Sequence, residues 1–541
     1  MSTWRRIDNF LRVKPDPKDE TGGTRSRWSN PDLDPPPAYK RTWTMIDLCS
    51  FWSSDNFGPG TWTAGSSLIA LGFTAREVIP FAFAGALMCS IVAYYNAVAG
   101  SRTGCCFPVL ARASFGPWAA LVPVFVRALV GLIWLVVLTF QAADVTSLCI
   151  SAVFPSYNTA IKNAFPESSG VTSQQLLSMF IYWIFQTALN LVPIYLQKHL
   201  FNVKGIICPL TFIALLIWGL VVTDGGNSPY INGDGTGTMG GGKVMAVFTG
   251  INSMASVAST IACNVPDFSR FQRPTKYAWT QIVFMPITAT IPIACGVITT
   301  SAVYTHYGID GAWQPAALII NFGSRAVRFF VGASFLLAYV GVNISANSVA
   351  FANDFSSIFP RYFNFRRTTI FASLLCFLMQ PWFLLSNAAA FLSFLGLYGS
   401  FLSGVASILV TDFWILRRGK VDIRELFKGG DGIYWYWHGI NWRAVAAWVI
   451  SFAPNLPGLA HAINTDIPDV NPYTYCFSWG WGTFWAGSLY YLFSTLFPPH
   501  KTFVDEAICM LDGTPNVHPA EVDSSEKLDE EAGYVVSAED K

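Results

Sequence analysis

The chain has 541 residues, 52% of them hydrophobic and only 12% charged, with a mean hydropathy of +0.40. A soluble globular protein carries roughly 25% charged residues, so most of this chain belongs in a lipid bilayer. A net charge of +1 without a basic tract excludes nucleic acid as a partner.

In chain order, residues 1 to about 42 are polar, carry Pro35-Pro36-Pro37 and mixed charges, and read as a flexible tail. The opening MSTWRRIDNFLRVKPDPKDE lacks the apolar core of a secretory signal, so insertion relies on the first membrane helix. Residues 43–498 form the transmembrane domain. Residues 499–541, acidic near their end, form a second tail. Lys14, Lys18, Lys501 and Lys527 in the tails are solvated lysines through which ubiquitin-dependent endocytic machinery would act, although such lysines are generic. The eleven cysteines lie mainly in apolar runs. None forms a CxxC, Cys105–Cys106 is the closest pair, and they read as small packing residues. The six histidines show no HxxxH spacing.

Between the tails stand about twelve apolar segments, most near the ~20 residues that span a bilayer. They lie near 47–72, 78–99, 118–148, 174–195, 202–222, 244–263, 279–303, 327–349, 368–385, 387–412, 441–462 and 474–497. The fold class is an all-α membrane protein. One set of loops carries Arg102 and Arg112, then Lys198 and Lys204, then Arg270, Arg273 and Lys276, then Arg361, Arg366 and Arg367, and finally Arg417, Arg418, Lys420, Arg424 and Lys428. The alternate loops carry little beyond Lys162, Lys243, Arg325 and Arg328. The positive-inside rule places the first set and both termini in the cytosol.

The first segment reads SFWSSDNFGPGTW, and Gly58-Pro59-Gly60 in mid-span cannot continue a regular helix. It is either a passive kink or a break that lines a cavity with freed backbone groups. The third segment places Trp134 in mid-span, away from any interfacial role. Its indole either packs between helices or stacks on a heterocycle. Gln141, seven residues on, is an amide that can face the same cavity. The sixth segment, FTGINSMASVASTIACN, has Gly250, Asn252 and Ser253 as a weaker signal for a second break, or for close helix packing. Breaks in segments one and six fit two inverted five-helix repeats around a midplane site.

The eighth segment, LLAYVGVNISANSVAFANDF, carries Asn343, Asn347 and Asp354. On a regular helix the two asparagines share one face, and Asp354 lies two turns further on. The amides suit a neutral planar ligand edged with carbonyls and N–H groups, or act as glue between helices. Asp354 is either a functional intramembrane acid or a solvated helix end.

Together with NPDLDPP (30–36), RTW (41–43), FPVLARASFG (107–116), NVPDFSRF (264–271), NISANS (343–348) and GINWRAVAAWVISFAPNLPG (439–458), these residues resemble the fungal branch of the nucleobase–cation symporter-1 family, the uracil, allantoin, uridine and thiamine permeases. The resemblance covers nearly everything except the tail ends. It implies a LeuT-like five-plus-five inverted repeat with two further C-terminal helices. It also implies import of a small nitrogenous heterocycle coupled to a cation gradient. The matching roles are stacking for Trp134, hydrogen bonding for Asn347 with Asn343 nearby, and gating for Asp354. Three positions depart from the family pattern. Leu138 stands where many members have Gln, and Ala258 where some have a ring-sandwiching aromatic. Gly341 and Val342 stand where sodium-using relatives carry hydroxyls.

The resulting expectation is a plasma-membrane proton symporter for uracil, allantoin or uric acid, with a uridine, thiamine or nicotinamide riboside permease as the alternative. The substrate residues are Trp134, Asn343, Asn347, Asn56, Gly58 and Gln141. Asp354 and Asp267 serve gating or proton coupling. No metal and no cofactor beyond the proton is expected. Neither HExxH nor a clustered acid pair suggests an enzyme.

Overall fold

The computed structural model describes residues 12–13, 27–30, 32–37, 40–192, 194–235, 242–272, 275–309, 311–464, 466–468 and 470–508. The helices that position the site are α1 (Met45–Asn56), α2 (Pro59–Ala70), α3 (Ala75–Thr103), α4 (Phe107–Phe115), α5 (Leu121–Val153), α6 (Ser173–Asn190), α7 (Ile194–Val222), α8 (Gly242–Val257), α9 (Ser259–Asn264), α10 (Thr280–Tyr307), α11 (Pro315–Ile319), α12 (Arg325–Ile358), α13 (Phe365–Leu375), α14 (Ala388–Val410), α15 (Trp442–Phe452), α16 (Leu456–Ile463) and α17 (Ser478–Leu496). Helix occupies each of the twelve predicted segments. The described residues form no β-strand, only isolated bridges such as Trp43 with Gln272.

Helix starts follow local chemistry. At α6 the Thr172 hydroxyl accepts from the Gln175 amide at 3.2 Å, and the Gln175 side chain accepts from the Thr172 amide at 2.9 Å. This reciprocal pair satisfies two donors that a helix N-terminus leaves open. At α14 the Asn387 carbonyl caps Ala390 at 2.8 Å. Along α7, Ile206, Leu210, Ile213, Ile217 and Val221 are all exposed. Their three- and four-residue spacing makes one exposed apolar stripe along the helix, which suits contact with lipid.

Six helices among the described residues are long and apolar enough to cross a bilayer: Ala75–Thr103, Leu121–Val153, His199–Val222, Tyr277–Tyr307, Arg325–Ile358 and Ala388–Leu416. Segment one is interrupted as predicted. Gly58 is extended (φ −132°, ψ 159°) and Pro59 opens α2, where its missing N–H costs nothing. Segment six breaks at Ala258, between α8 and α9, rather than at the residues that suggested it. Gly250 is taken up by contact with the Phe81 ring, and Asn252 accepts from the Trp479 amide at 2.8 Å. The strongest helix pairings join α3 with α10 and α5 with α12. These are segments two with seven and three with eight, each five apart, as two repeats facing one another would be.

Two expectations change. The stretch from Arg27 to Pro37 was assigned to a flexible tail, yet its described residues are packed. Leu33 is fully buried, and Asn30 donates to the Pro360 and Phe363 carbonyls at 3.0 and 3.1 Å. Several basic residues that carry the sidedness argument are also buried. Arg112 donates to the Trp28 carbonyl at 2.8 Å, and Arg417 pairs with Asp412 at 2.8 Å. Lys501 is exposed, whereas Lys14, Lys18 and Lys527 lie outside the described residues.

Candidate substrate site

Trp134 sits on α5 and is only 7% exposed. Its ring lies over Gly60 at the start of α2, where a Cβ would stand 3.3 Å from the indole. The glycine at the break therefore lets the backbone approach the ring. From α14, Phe391 meets the indole edge-on at 5.8 Å and Phe394 lies tilted at 6.0 Å. The Tyr398 hydroxyl stands beside it. Segments one, three and ten thus converge on one aromatic face.

On α12 the stretch Asn343–Ser348 widens into a π turn, where a regular helix was expected. Such turns concentrate at functional sites. Asn343 is fully buried and its amide is fully used. It donates to Gln186 of α6 at 2.7 Å, approaches the Leu135 carbonyl and the Thr139 hydroxyl at 3.3 Å each, and accepts from Asn347 at 2.8 Å. Gln186 in turn donates to Thr139 at 3.0 Å. Asn343 therefore braces Asn347, whose side-chain carbonyl has no hydrogen-bond partner among the described residues. Gln141 is 2% exposed, and neither of its amide atoms has a partner among the described residues. A buried unpaired amide costs about 1–3 kcal/mol, so this position is primed for a polar ligand or water.

Asn56 is engaged elsewhere: its side chain donates to Thr288 of α10 at 2.9 Å. The carbonyls freed at the break are partly covered too, because the Thr61 hydroxyl reaches those of Asn56 and Gly58 at 2.6 and 2.7 Å. Gly58 packs on α12, where an added Cβ would stand 2.6 Å from Val342.

Seven residues from Trp134 and from Asn347, toward the basic-loop face, the same two helices meet again. Arg127 of α5 pairs with Asp354 of α12 at 2.5 Å, and both are buried to about 1% exposure or less. Asp354 is thus a buried ion-pair partner, not a solvated helix end. At ~1.5 Å per residue the pair lies roughly 10 Å from the ring. With its amide oriented to satisfy both neighbours, Asn264 of α9 accepts from Arg127 and donates to the Thr260 carbonyl at 2.6 Å. Asp267 is buried nearby and accepts from the Phe107 amide of α4 at 2.8 Å. The latch therefore ties α4, α5, α9 and α12 together beneath the site. Sequence reading missed Arg127, although a charge inside VRALVGLIW was the available signal.

Lys204 was assigned to a cytosolic loop. It is fully buried in α7 instead and donates to the Ser54 carbonyl near the end of α1. Its stem lies against Gly341. Asp55, which faces Lys204 electrostatically, accepts from the Ser345 hydroxyl at 3.2 Å. An ammonium thus stands between the break in segment one and the glycine of segment eight. Its signal was a lysine followed by the long apolar run of α7.

Residues 35–482 match the family described as permease for cytosine/purines, uracil, thiamine, allantoin. The uracil permease of Saccharomyces cerevisiae is 31% identical over 454 residues, covering 79% of this chain and 69% of the relative. The allantoin permease of the same yeast is 32% identical over 448 residues, with the same coverages. The solved structure of Mhp1, described as a nucleobase-cation-symport-1 family transporter in a closed conformation with bromovinylhydantoin bound, superposes with a TM-score of 0.69. It is 19% identical, and the match covers 88% of this chain and 98% of that one. The inverted-repeat fold of segments one to ten is thereby shared, and the chain belongs to the family of permeases for cytosine and purines, uracil, thiamine and allantoin.

Proposed function

We propose that this chain imports a nucleobase or related ureide across the plasma membrane, with uracil and allantoin the leading substrates and protons the coupling ion. The observation that carries the substrate reading is the aromatic cluster around Trp134, with the open side-chain carbonyl of Asn347 on the helix packed against it; Gln141, two turns along α5, is a further buried amide open to a ligand or water. A flat ring stacks on the first, and its N–H edge donates to the Asn347 carbonyl. The near-equal identities to uracil and allantoin permeases support both candidates. Leu138 and Ala258 leave the larger uridine, thiamine or nicotinamide riboside as the second reading, because neither position fills space with an amide or a ring.

Proton coupling is supported by Lys204. A bound sodium ion needs oxygen ligands, but here a fixed ammonium already holds the Ser54 carbonyl, and Gly341 and Val342 offer no hydroxyl. Protonation of Asp55 from outside removes the charge facing Lys204, which loosens α1 from α7 and α12 and couples the proton to the break. The exposed basic residues Arg361, Arg366, Arg367, Arg418, Lys420 and Lys428 support cytosolic termini on this reading.

The test is uptake in cells lacking their own permeases. Labelled uracil is challenged with allantoin, uric acid, uridine, thiamine and cytosine, sodium is replaced by choline, and a protonophore is added. Uptake should survive choline and collapse with the protonophore. Strict sodium dependence refutes the coupling. Competition by uridine or thiamine alone refutes the substrate assignment. Asp55→Asn should abolish concentrative uptake while leaving exchange of internal for external substrate.

A further inference from the structure

A cleft of about 550 Å³ opens between the C-terminal part of α5, the start of α6 and the chain leading into α11. Its size falls within the roughly 300–1,000 Å³ of small-molecule sites. The lining is mixed, with a cation and a carboxylate, Arg328 and Asp144, among its amides and apolar walls. It offers the Gln174, Gln175 and Asn158 amides, the Ser147 hydroxyl, the Asp144 carboxylate and the Trp313 indole. Gln174 donates to Ser147 at 2.8 Å and to Asn158 at 3.1 Å, and Gln175 donates to Asp144 at 2.9 Å.

Trp313 is the shared wall. It lines the cleft and packs on Phe391 at 5.4 Å, and Phe391 stands edge-on against Trp134. The cleft and the central ring are therefore separated by two aromatic side chains. The latch of Arg127 and Asp354 closes the opposite side. A solute arriving from the cleft face has to displace Phe391 and Trp313 to reach Trp134.

We propose that this cleft is a second, outward-facing binding site for the same class of planar, amide-edged heterocycle, which waits there before Trp313 and Phe391 swing aside. The proposal rests on the permease reading above. Ring stacking on Trp313 and amide exchange with Gln174 and Asn158 supply the recognition. Those amides already bond to one another, so a ligand trades bonds rather than filling vacant ones. Binding is consequently weaker than at the central site, where the Asn347 carbonyl is open.

The test uses the full chain carrying Ser151→Cys, which lines the cleft, in intact cells. A membrane-impermeant methanethiosulfonate labels the new thiol, and the unsubstituted chain serves as the control. Uracil and allantoin are the probes, and uptake of each is measured in the same cells. Labelling should slow severalfold at saturating probe. The protection should persist with Trp134→Ala, at probe concentrations at least tenfold above the uptake KM, and vanish with Gln174→Leu. Where Gln174→Leu fails to reach the surface, Asn158→Ala serves instead. Protection that disappears with Trp134→Ala overturns the proposal, as does a thiol that the reagent cannot reach from outside. A chain that takes up neither probe faults the substrate assignment instead, and the protection is then read with the solute it does transport.

Discussion

Asp354→Asn removes one charge from a pair that is buried on both sides. Breaking a buried ion pair by neutralising one partner costs on the order of 3–5 kcal/mol, because the other charge is left uncompensated. Arg127 keeps its bond to Asn264 and its proximity to Asp267, so the lower end, about 3 kcal/mol, applies. That energy belongs to the conformation in which α5, α9 and α12 are latched. If the latch opens when substrate leaves toward the basic-loop face, the loss shifts the closed-to-open ratio by roughly a hundredfold. The ring site, roughly 10 Å away, is not touched. Initial uptake rate against substrate concentration, corrected for surface level by a fluorescent tag, should show maximal rate falling at least tenfold while KM changes less than threefold. The double variant Arg127→Met with Asp354→Leu removes both charges. It should regain the thermal stability lost in Asp354→Asn, since buried pairs replaced by apolar residues are often neutral in stability, but not the transport rate. A KM that rises with unchanged maximal rate would refute the gating role. So would a double variant that transports normally.

Trp134→Ala should lose about 1–3 kcal/mol of ligand binding and Trp134→Phe less, read as KM or direct binding. Asn347→Ala should cost on the order of 1–3 kcal/mol, a ten- to hundredfold loss of affinity at normal surface level. Asn343→Ala should instead lower thermal stability as well as affinity, and Gln186→Leu should reproduce it, because both belong to one brace behind Asn347. Gly58→Ala should abolish uptake by pushing α1 and α2 off α12, and Val342→Ala in the same chain should restore part of it. Recovery is measured as uptake per tagged protein.

Much of the architecture could be read along the chain. Apolar runs of bilayer length fix the membrane-spanning helices, since a backbone in lipid must satisfy its own hydrogen bonds. Gly58-Pro59 fixes the first break, since it removes a donor where no water replaces it. Trp134 in mid-span and two asparagines one turn apart mark one face of each helix. The second break was placed less well. Small residues support both a break and close packing, and only the neighbours Phe81 and Trp479 distinguish them.

What only the tertiary structure decided is which polar group meets which. Sequence spacing makes Asn343 and Asn347 equivalent. The Gln186 side chain, 157 residues away, commits one and leaves the other available. Arg127 and Asp354 are 227 residues apart, and no local pattern joins them. Lys204 looked like a loop charge because its partner, the Ser54 carbonyl, belongs to a helix end 150 residues earlier. Helical periodicity reports the face a side chain occupies. The partner that neutralises a buried charge is chosen by the packing of helices remote in sequence, and that choice separates an amide committed to a brace from one left open, and a loop charge from a buried one.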